Sequence, residues 1–223
     1  MINVAMDGPV GAGKSSVARE CAKRLGFIYV DTGALYRAVG LYCVRNGIEM
    51  SIENEKNVKK TVEDGVSLEI KLEKGTQLVF MNGENVSEEI RLPEISMAAS
   101  AVSAIPAVRR FLLDTQRNVA AKNNVIMDGR DIGTVILPNA DVKIFITAAP
   151  EIRAKRRYDE LAAKGMDVKL EEVLSDLNKR DYNDSHRAEA PLKQADDAIF
   201  LDTSALDFEQ TVNEVIRLVK TKM

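Results

Sequence analysis

Short apolar runs along this chain alternate with stretches whose apolar residues recur at helical spacing. Residues 2–6, 27–30, 125–127, 142–147 and 198–201 predict buried strands. Residues 14–25 predict a helix with Val17, Ala18, Cys21, Ala22 and Leu25 on one face and Gly26 as its stop. Further helices are expected over 34–46 (ended by Gly47), 107–121, 151–164, 170–180 and 208–220. Strands without alternation, separated by helices, predict an α/β fold: a five-stranded parallel sheet covered on both faces. Residues 62–93 break this rhythm. Positions 66–72 alternate apolar and polar, 77–81 form a further run, and Asn82-Gly83 is a type I′ hairpin signal. A small antiparallel sheet inserted into the α/β body is the expectation.

Length and charge bound the function classes. At 223 residues the chain suits one or two domains and can bury a core without staples. Lys+Arg 31 against Asp+Glu 34 gives a net charge of −3, which argues against a general nucleic-acid coat and predicts no nucleic-acid partner. No apolar run approaches the ~20 residues of a bilayer span, and the start lacks a basic, cleavable leader pattern, so no membrane partner is expected. Cys21 and Cys43 are the only cysteines and there is a single histidine, so neither a disulfide scaffold nor a zinc site is expected. A reducing, cytoplasmic location follows as an expectation.

Gly8-Pro9-Val10-Gly11-Ala12-Gly13-Lys14-Ser15 fits the phosphate-binding pattern G-x-x-x-x-G-K-[ST] between a strand and a helix. Its glycines let successive N–H groups turn inward onto phosphate oxygens, and the helix N-terminus adds partial positive charge. Lys14 can reach the β- and γ-phosphates of a nucleotide and Ser15 can ligate Mg²⁺. Asp128 closes an apolar strand, where open α/β sheets bind ligands, and is a candidate for the Mg²⁺ shell. A lone arginine is more often a solvated charge. Here, however, Arg37 and Arg130 follow strands, Arg153 and Arg157 share a helix face with Arg156 beside them, and Arg180 and Arg187 frame an acidic segment. Such a set suits two phosphorylated ligands shielded from water. Asn178-Lys179-Arg180-Asp181 matches a guanine-recognition pattern but lies in a charged helical run, and no D-x-x-G accompanies it. His186 stands in a polar stretch with no claim to act as a base.

With these segments, Asp31-Thr32-Gly33-Ala34-Leu35-Tyr36-Arg37, Asp128-Gly129-Arg130-Asp131-Ile132-Gly133-Thr134 and residues 180–192, the chain resembles the bacterial cytidylate kinases of the nucleoside-monophosphate kinase family, in their long form. The resemblance implies a P-loop kinase fold. Its core comprises residues 1–34, 94–150 and 188–223, its monophosphate-binding domain 35–93 with the sheet insertion at about 62–93, and its short helical lid 151–187. It implies a monomer that transfers the γ-phosphoryl group of ATP to CMP or dCMP with Mg²⁺, in pyrimidine nucleotide metabolism. ATP would be held by Gly8, Pro9, Val10, Gly11, Ala12, Gly13, Lys14, Ser15 and Ser16, with Arg153 against the adenine and Arg157 near the phosphates. Arg37, Arg130 and Arg187 would hold the monophosphate; Ser100, Arg109 and Asp131 would read the base; Arg180 and Asp184 would contact the pentose, with Thr32 nearby. Thr32 stands where the family commonly has Ser. Lys14, Arg130, Arg157 and Arg187 would be catalytic, and Ser15 and Asp128 would hold the metal, the latter directly or through water. The other readings are a P-loop kinase of UMP or a sugar-like alcohol, and a GTP-binding switch.

Overall fold

The computed structural model describes residues 1–73 and 76–223. In chain order it contains β1 (Asn3–Asp7), α1 (Lys14–Leu25), β2 (Ile28–Asp31), α2 (Thr32–Arg45), α3 (Glu55–Gly65), β3 (Leu68–Glu73), β4 (Thr76–Met81) and β5 (Glu84–Asn85). There follow α4 (Pro93–Ser103), α5 (Pro106–Ala120), β6 (Val125–Gly129), β7 (Val142–Thr147), α6 (Pro150–Ala163), α7 (Leu170–His186), β8 (Ile199–Asp202) and α8 (Phe208–Lys220). Five strands form one sheet in the order β2-β6-β1-β7-β8, and β3, β4 and β5 form a second. The expected α/β class with a small antiparallel sheet is what is found.

The chain divides into two compact units, one of Ile2–Phe27 with Asn124–Met223, the other of Met1 with Ile28–Asn123. In the former, β1 lies between β6 and β7 and is parallel to both; Met6 stands opposite Asp128 on one side and Ile144 on the other. Val4, Ala5, Val125, Ile126, Met127 and Ile146 have no exposed surface, which is why these strands read as unbroken apolar runs. The helix α1 turns Val17, Ala18, Cys21 and Ala22 inward and ends on Gly26, whose φ of 70° permits its N–H to close onto Ala22 O. The helices α6 and α7 share a small core of Ala154, Val173 and Leu177, against which Val10 packs.

In the latter unit α2 is buried along most of its length and packs against α4. Gly40 makes this approach possible, since a Cβ there would sit 3.0 Å from the Ala98 backbone. The Glu55 carboxylate accepts from Ala107 N at 3.0 Å, capping the start of α5 from α3. Asn82 and Gly83 have φ of 51° and 83°, the positive pair that a type I′ turn needs, and they join β4 to β5.

The periodicity missed α3 and α4, and α7 runs six residues beyond the expected end at 180, to His186. Residues 94–120, grouped with the core on sequence grounds, fall in the same compact unit as α2 because α4 and α5 pack on α2 and α3.

Candidate active site

The turn from β1 to α1 is shaped by glycine. A Cβ on Gly8 would lie 1.9 Å from Ile146 O, so no side chain fits there, and Gly13 enters α1 at φ 81°. Lys14 is buried and its ammonium donates to Pro9 O at 2.6 Å. Burial, then the nearby Arg130, hold its pKa well below the ordinary lysine value, while Asp128, Asp7 and Asp184 act in the opposite sense. Ser15 Oγ donates to Asp128 Oδ2 at 2.6 Å. A hydroxyl and a carboxylate side by side are the hard oxygen donors that suit magnesium. Among the described residues no cluster of His, Cys, Asp or Glu forms a metal cage of its own.

The loop after β6 supplies the next charges. Arg130 Nε donates to Asp184 Oδ2 at 2.7 Å, bringing α7 to this loop. Burial works against the Arg130 charge, but Asp184, Asp128 and Asp181 outweigh it and hold the guanidinium cationic. Arg187 Nη2 stands 3.4 Å from Asp131 Oδ1, both side chains nearly enclosed, and its Nε donates to Ala190 O. Asp7, at the end of β1, accepts from Ile132 N at 2.8 Å and Gly133 N at 2.7 Å, so β1 carries both the P-loop and the anchor of the Arg130–Gly133 loop. Burial pushes the Asp7 carboxyl from 3.8 to about 6 despite those two bonds.

Arg153 occupies a place the sequence did not suggest. Its guanidinium is buried and donates to Val10 O at 2.8 Å, Ala148 O at 2.8 Å and Asp181 Oδ2 at 2.6 Å. Asp181 Oδ1 accepts from Val10 N at 3.0 Å, so both halves of the Val10 peptide are gripped by α6 and α7. Arg157 is two-fifths exposed and pairs with Glu160 on its own helix at 2.7 Å. Arg156 is anchored on Thr203 Oγ1 and O and on Leu206 O, away from any phosphate role. Arg180 lies half-buried on α7, one turn before Asp184, and Ser16 is exposed.

Thr32, Arg37, Ser100 and Arg109 lie in the other unit. Thr32 is the buried first residue of α2. Asp31, the N-cap, accepts from Ala34 N at 3.1 Å through Oδ1 and from Arg37 Nη2 at 2.7 Å through Oδ2. Arg37 Nε is buried with no hydrogen-bond partner, leaving one edge of its fork ready for an anion. Arg109 is buried, its guanidinium 5.5 Å from the Tyr36 ring centroid and bonded to Ser103 O at 3.2 Å. Ser100 lies half-buried on α4.

Sequence reasoning missed Asp7, Asp31 and Asp181. Asp7 and Asp31 each close an apolar strand, the same signal that singled out Asp128, and could have been found by it.

The family model for cytidylate kinase matches residues 4–221. The chain belongs to the cytidylate kinase family. A cytidylate kinase of Caldicellulosiruptor bescii is 50% identical over 97% of this chain and 95% of its own. One of Carboxydothermus hydrogenoformans is 46% identical over 99% and 98%. Among solved structures, an uncharacterized protein from Eubacterium ventriosum covers 99% of both chains at 13% identity with a TM-score of 0.53, a likeness of fold alone. In this member of the cytidylate kinase family, the glycine-shaped turn brings Lys14 onto Pro9 O, Ser15 onto Asp128 and Arg130 onto Asp184.

Proposed function

We propose that the protein transfers the γ-phosphoryl group of ATP to CMP, giving CDP and ADP, and that it accepts dCMP in the same way. Family membership over residues 4–221 names the reaction class, and the cradle formed by Gly8–Ser15, Lys14, Asp128 and Arg130 is the observation that carries it. The P-loop amides bind the β- and γ-phosphates, and Lys14 exchanges Pro9 O for their oxygens. Bringing anionic phosphate beside Lys14 restores the charge that burial disfavours. An anionic oxygen of the CMP phosphate attacks the γ-phosphorus. The bond to the β–γ bridging oxygen breaks, and its electron pair leaves with ADP.

That acceptor oxygen is already anionic near neutral pH, so no general base is required. Arg130, Arg187 and Arg37 hold the acceptor phosphate, with Arg157 serving the ATP phosphates. Arg153 reaches the adenine side through the Val10 turn that it braces. Ser100, Arg109 and Asp131 read cytosine, and Arg180, Asp184 and Thr32 the pentose. Ser15, and Asp128 directly or through water, would hold Mg²⁺, which would supply charge neutralisation at the ATP phosphates.

The protein works as a cytoplasmic monomer on small nucleotides, with no nucleic-acid or membrane partner. Its net charge of −3 argues against a nucleic-acid partner, and its two cysteines are free thiols, as a reducing compartment leaves them. Among the described residues no single helix is long and apolar enough to cross a membrane. ADP formation from ATP with CMP, dCMP, UMP, AMP, a sugar panel or no acceptor tests the reading. Turnover is expected with CMP and dCMP far above the rest. A sugar preference, or equal turnover without acceptor, overturns it.

A further inference from the structure

The antiparallel insertion does more than widen the acceptor domain. Gln77 on β4 is 7% exposed, and its amide pairs with both backbone groups of one residue: Asp31 N donates to Oε1 at 2.8 Å, and Nε2 donates to Asp31 O at 3.1 Å. Asp31 is the last residue of β2, the end strand of the five-stranded sheet. The Gln77 side chain thus supplies the donor and acceptor that a further strand would offer to this peptide edge.

The same Asp31 directs Arg37. Its Oδ2 accepts from Arg37 Nη2 at 2.7 Å while its Oδ1 caps α2. There is little slack in this arrangement, because a Cβ on Gly33 would fall 3.1 Å from Asp31 Oδ1 and 3.4 Å from Arg37 Nη1. A shift of the Asp31 backbone is therefore passed on to the guanidinium whose Nε is buried without a partner.

We propose that Gln77 is a positioning residue for the acceptor phosphate: through Asp31 it sets the direction of the Arg37 fork, and the inserted sheet is the strut that holds it there. This rests on the reading of Arg37 as an acceptor-phosphate ligand. Glutamine is the side chain that fits. Glutamate keeps the acceptor but presents a carboxylate to Asp31 O, asparagine is one methylene shorter, and leucine leaves both peptide groups unmatched.

Steady-state kinetics of Gln77→Leu and Gln77→Glu, with CMP and ATP varied separately, test the inference. The KM for CMP is expected to rise about tenfold in Gln77→Leu, the equivalent of one lost net hydrogen bond, and at least as much in Gln77→Glu, whose carboxylate faces Asp31 O. The KM for ATP should stay within about twofold of wild type in both. The deciding readout is a double-mutant cycle with Arg37→Ala: once Arg37 is absent, Gln77→Leu should change the KM for CMP little further. Equal penalties in both backgrounds, or parallel losses for ATP and CMP, overturn the positioning role in favour of a general structural one. Gln77→Met retains length and volume, so if Gln77→Leu fails to fold, the same cycle with Gln77→Met decides. Wild-type enzyme without CMP turnover would sink the functional reading itself; normal wild-type turnover with an unchanged CMP KM in the variants would sink only this inference.

Discussion

Replacing Asp181 by alanine removes the carboxylate that joins α7 to the P-loop. Arg153, its partner, has only 5% of its side chain exposed, while that of Asp181 is 21% exposed. Deleting one member of a buried ion pair costs about 3–5 kcal/mol, because the remaining charge stays desolvated. The partial exposure of Asp181 lets water reach the gap, which favours the low end of that range. The lost Val10 N–H acceptor adds about 1 kcal/mol. Against these, the bonds from Arg153 to Val10 O and Ala148 O survive and still solvate the guanidinium. A net loss of about 3 kcal/mol results, which at ~2–4 °C per kcal/mol for a chain of this length lowers Tm by about 6–12 °C.

Thermal and urea unfolding of Asp181→Ala measure this directly, and hydrogen exchange at the Val10 amide reads the local effect. Arg157→Ala is the control: its pair with Glu160 is largely solvated and contributes within ~0.5 kcal/mol. Replacing both partners, Arg153→Met with Asp181→Leu, leaves no charge buried but strips Val10 N, Val10 O and Ala148 O of their partners at about 1 kcal/mol each, so it should not recover the loss. An Asp181→Ala protein that melts within a degree or so of the Arg157→Ala control, with the Val10 amide as protected as before, refutes the account of Arg153 and Asp181 as the brace of the P-loop.

Asp131→Ala should lower kcat/KM for CMP far more than for UMP, narrowing a preference of roughly a hundredfold, because an ionised carboxylate accepts from the cytosine amino group and opposes the uracil carbonyl. Equal losses for both, measured with the same ATP, would remove Asp131 from base reading. Asp7 carries the pH prediction. Its carboxyl is raised from 3.8 to about 6, so the native state holds that proton to higher pH than the unfolded chain. Its contribution to stability is thus greatest below about pH 4 and is lost as pH rises through 6, a change of about 2–3 kcal/mol. The stability difference between wild type and Asp7→Asn, followed by urea titration from pH 4 to 7, should fall by that amount; a flat difference contradicts it.

The parts of this fold that could be read from sequence are those where one physical requirement acts on neighbouring residues. Strands buried on both faces must be apolar throughout, so β1, β6 and β7 stand out. A phosphate cradle must have glycine at set intervals, so the P-loop stands out. The helix α3 did not, because it buries only Val58 and Val62 and leaves a charged surface over the rest. The helix α4 begins at Pro93, which reads as a breaker unless it is known to occupy the first turn. Arg156, in the sequence only a neighbour of Arg153 and Arg157, is tied to a backbone nearly fifty residues away, at Thr203, a pairing with no local sequence signal. The bond between Asp181 and Val10 spans 171 positions and leaves no local trace; its aspartate was even part of an accidental guanine-recognition match.

The pairings of the cations explain how the site can be strongly basic without being unstable when empty. In the unit that carries the P-loop, Lys14 rests on Pro9 O, Arg130 on Asp184 and Arg187 on Asp131. Each partner removes part of the repulsion that enclosed positive groups would otherwise exert, as Arg130 already does on Lys14. Backbone oxygens add to this: Arg130 also donates to Gly129 O at 3.2 Å and Arg187 to Ala190 O at 2.6 Å. Asp131 and Asp184 each hold an arginine, Arg187 and Arg130 respectively, and each is also proposed as a nucleoside ligand. On the proposed assignment, base and sugar recognition would be coupled to phosphate binding, because a nucleoside that fitted poorly against either carboxylate would disturb the arginine paired with it.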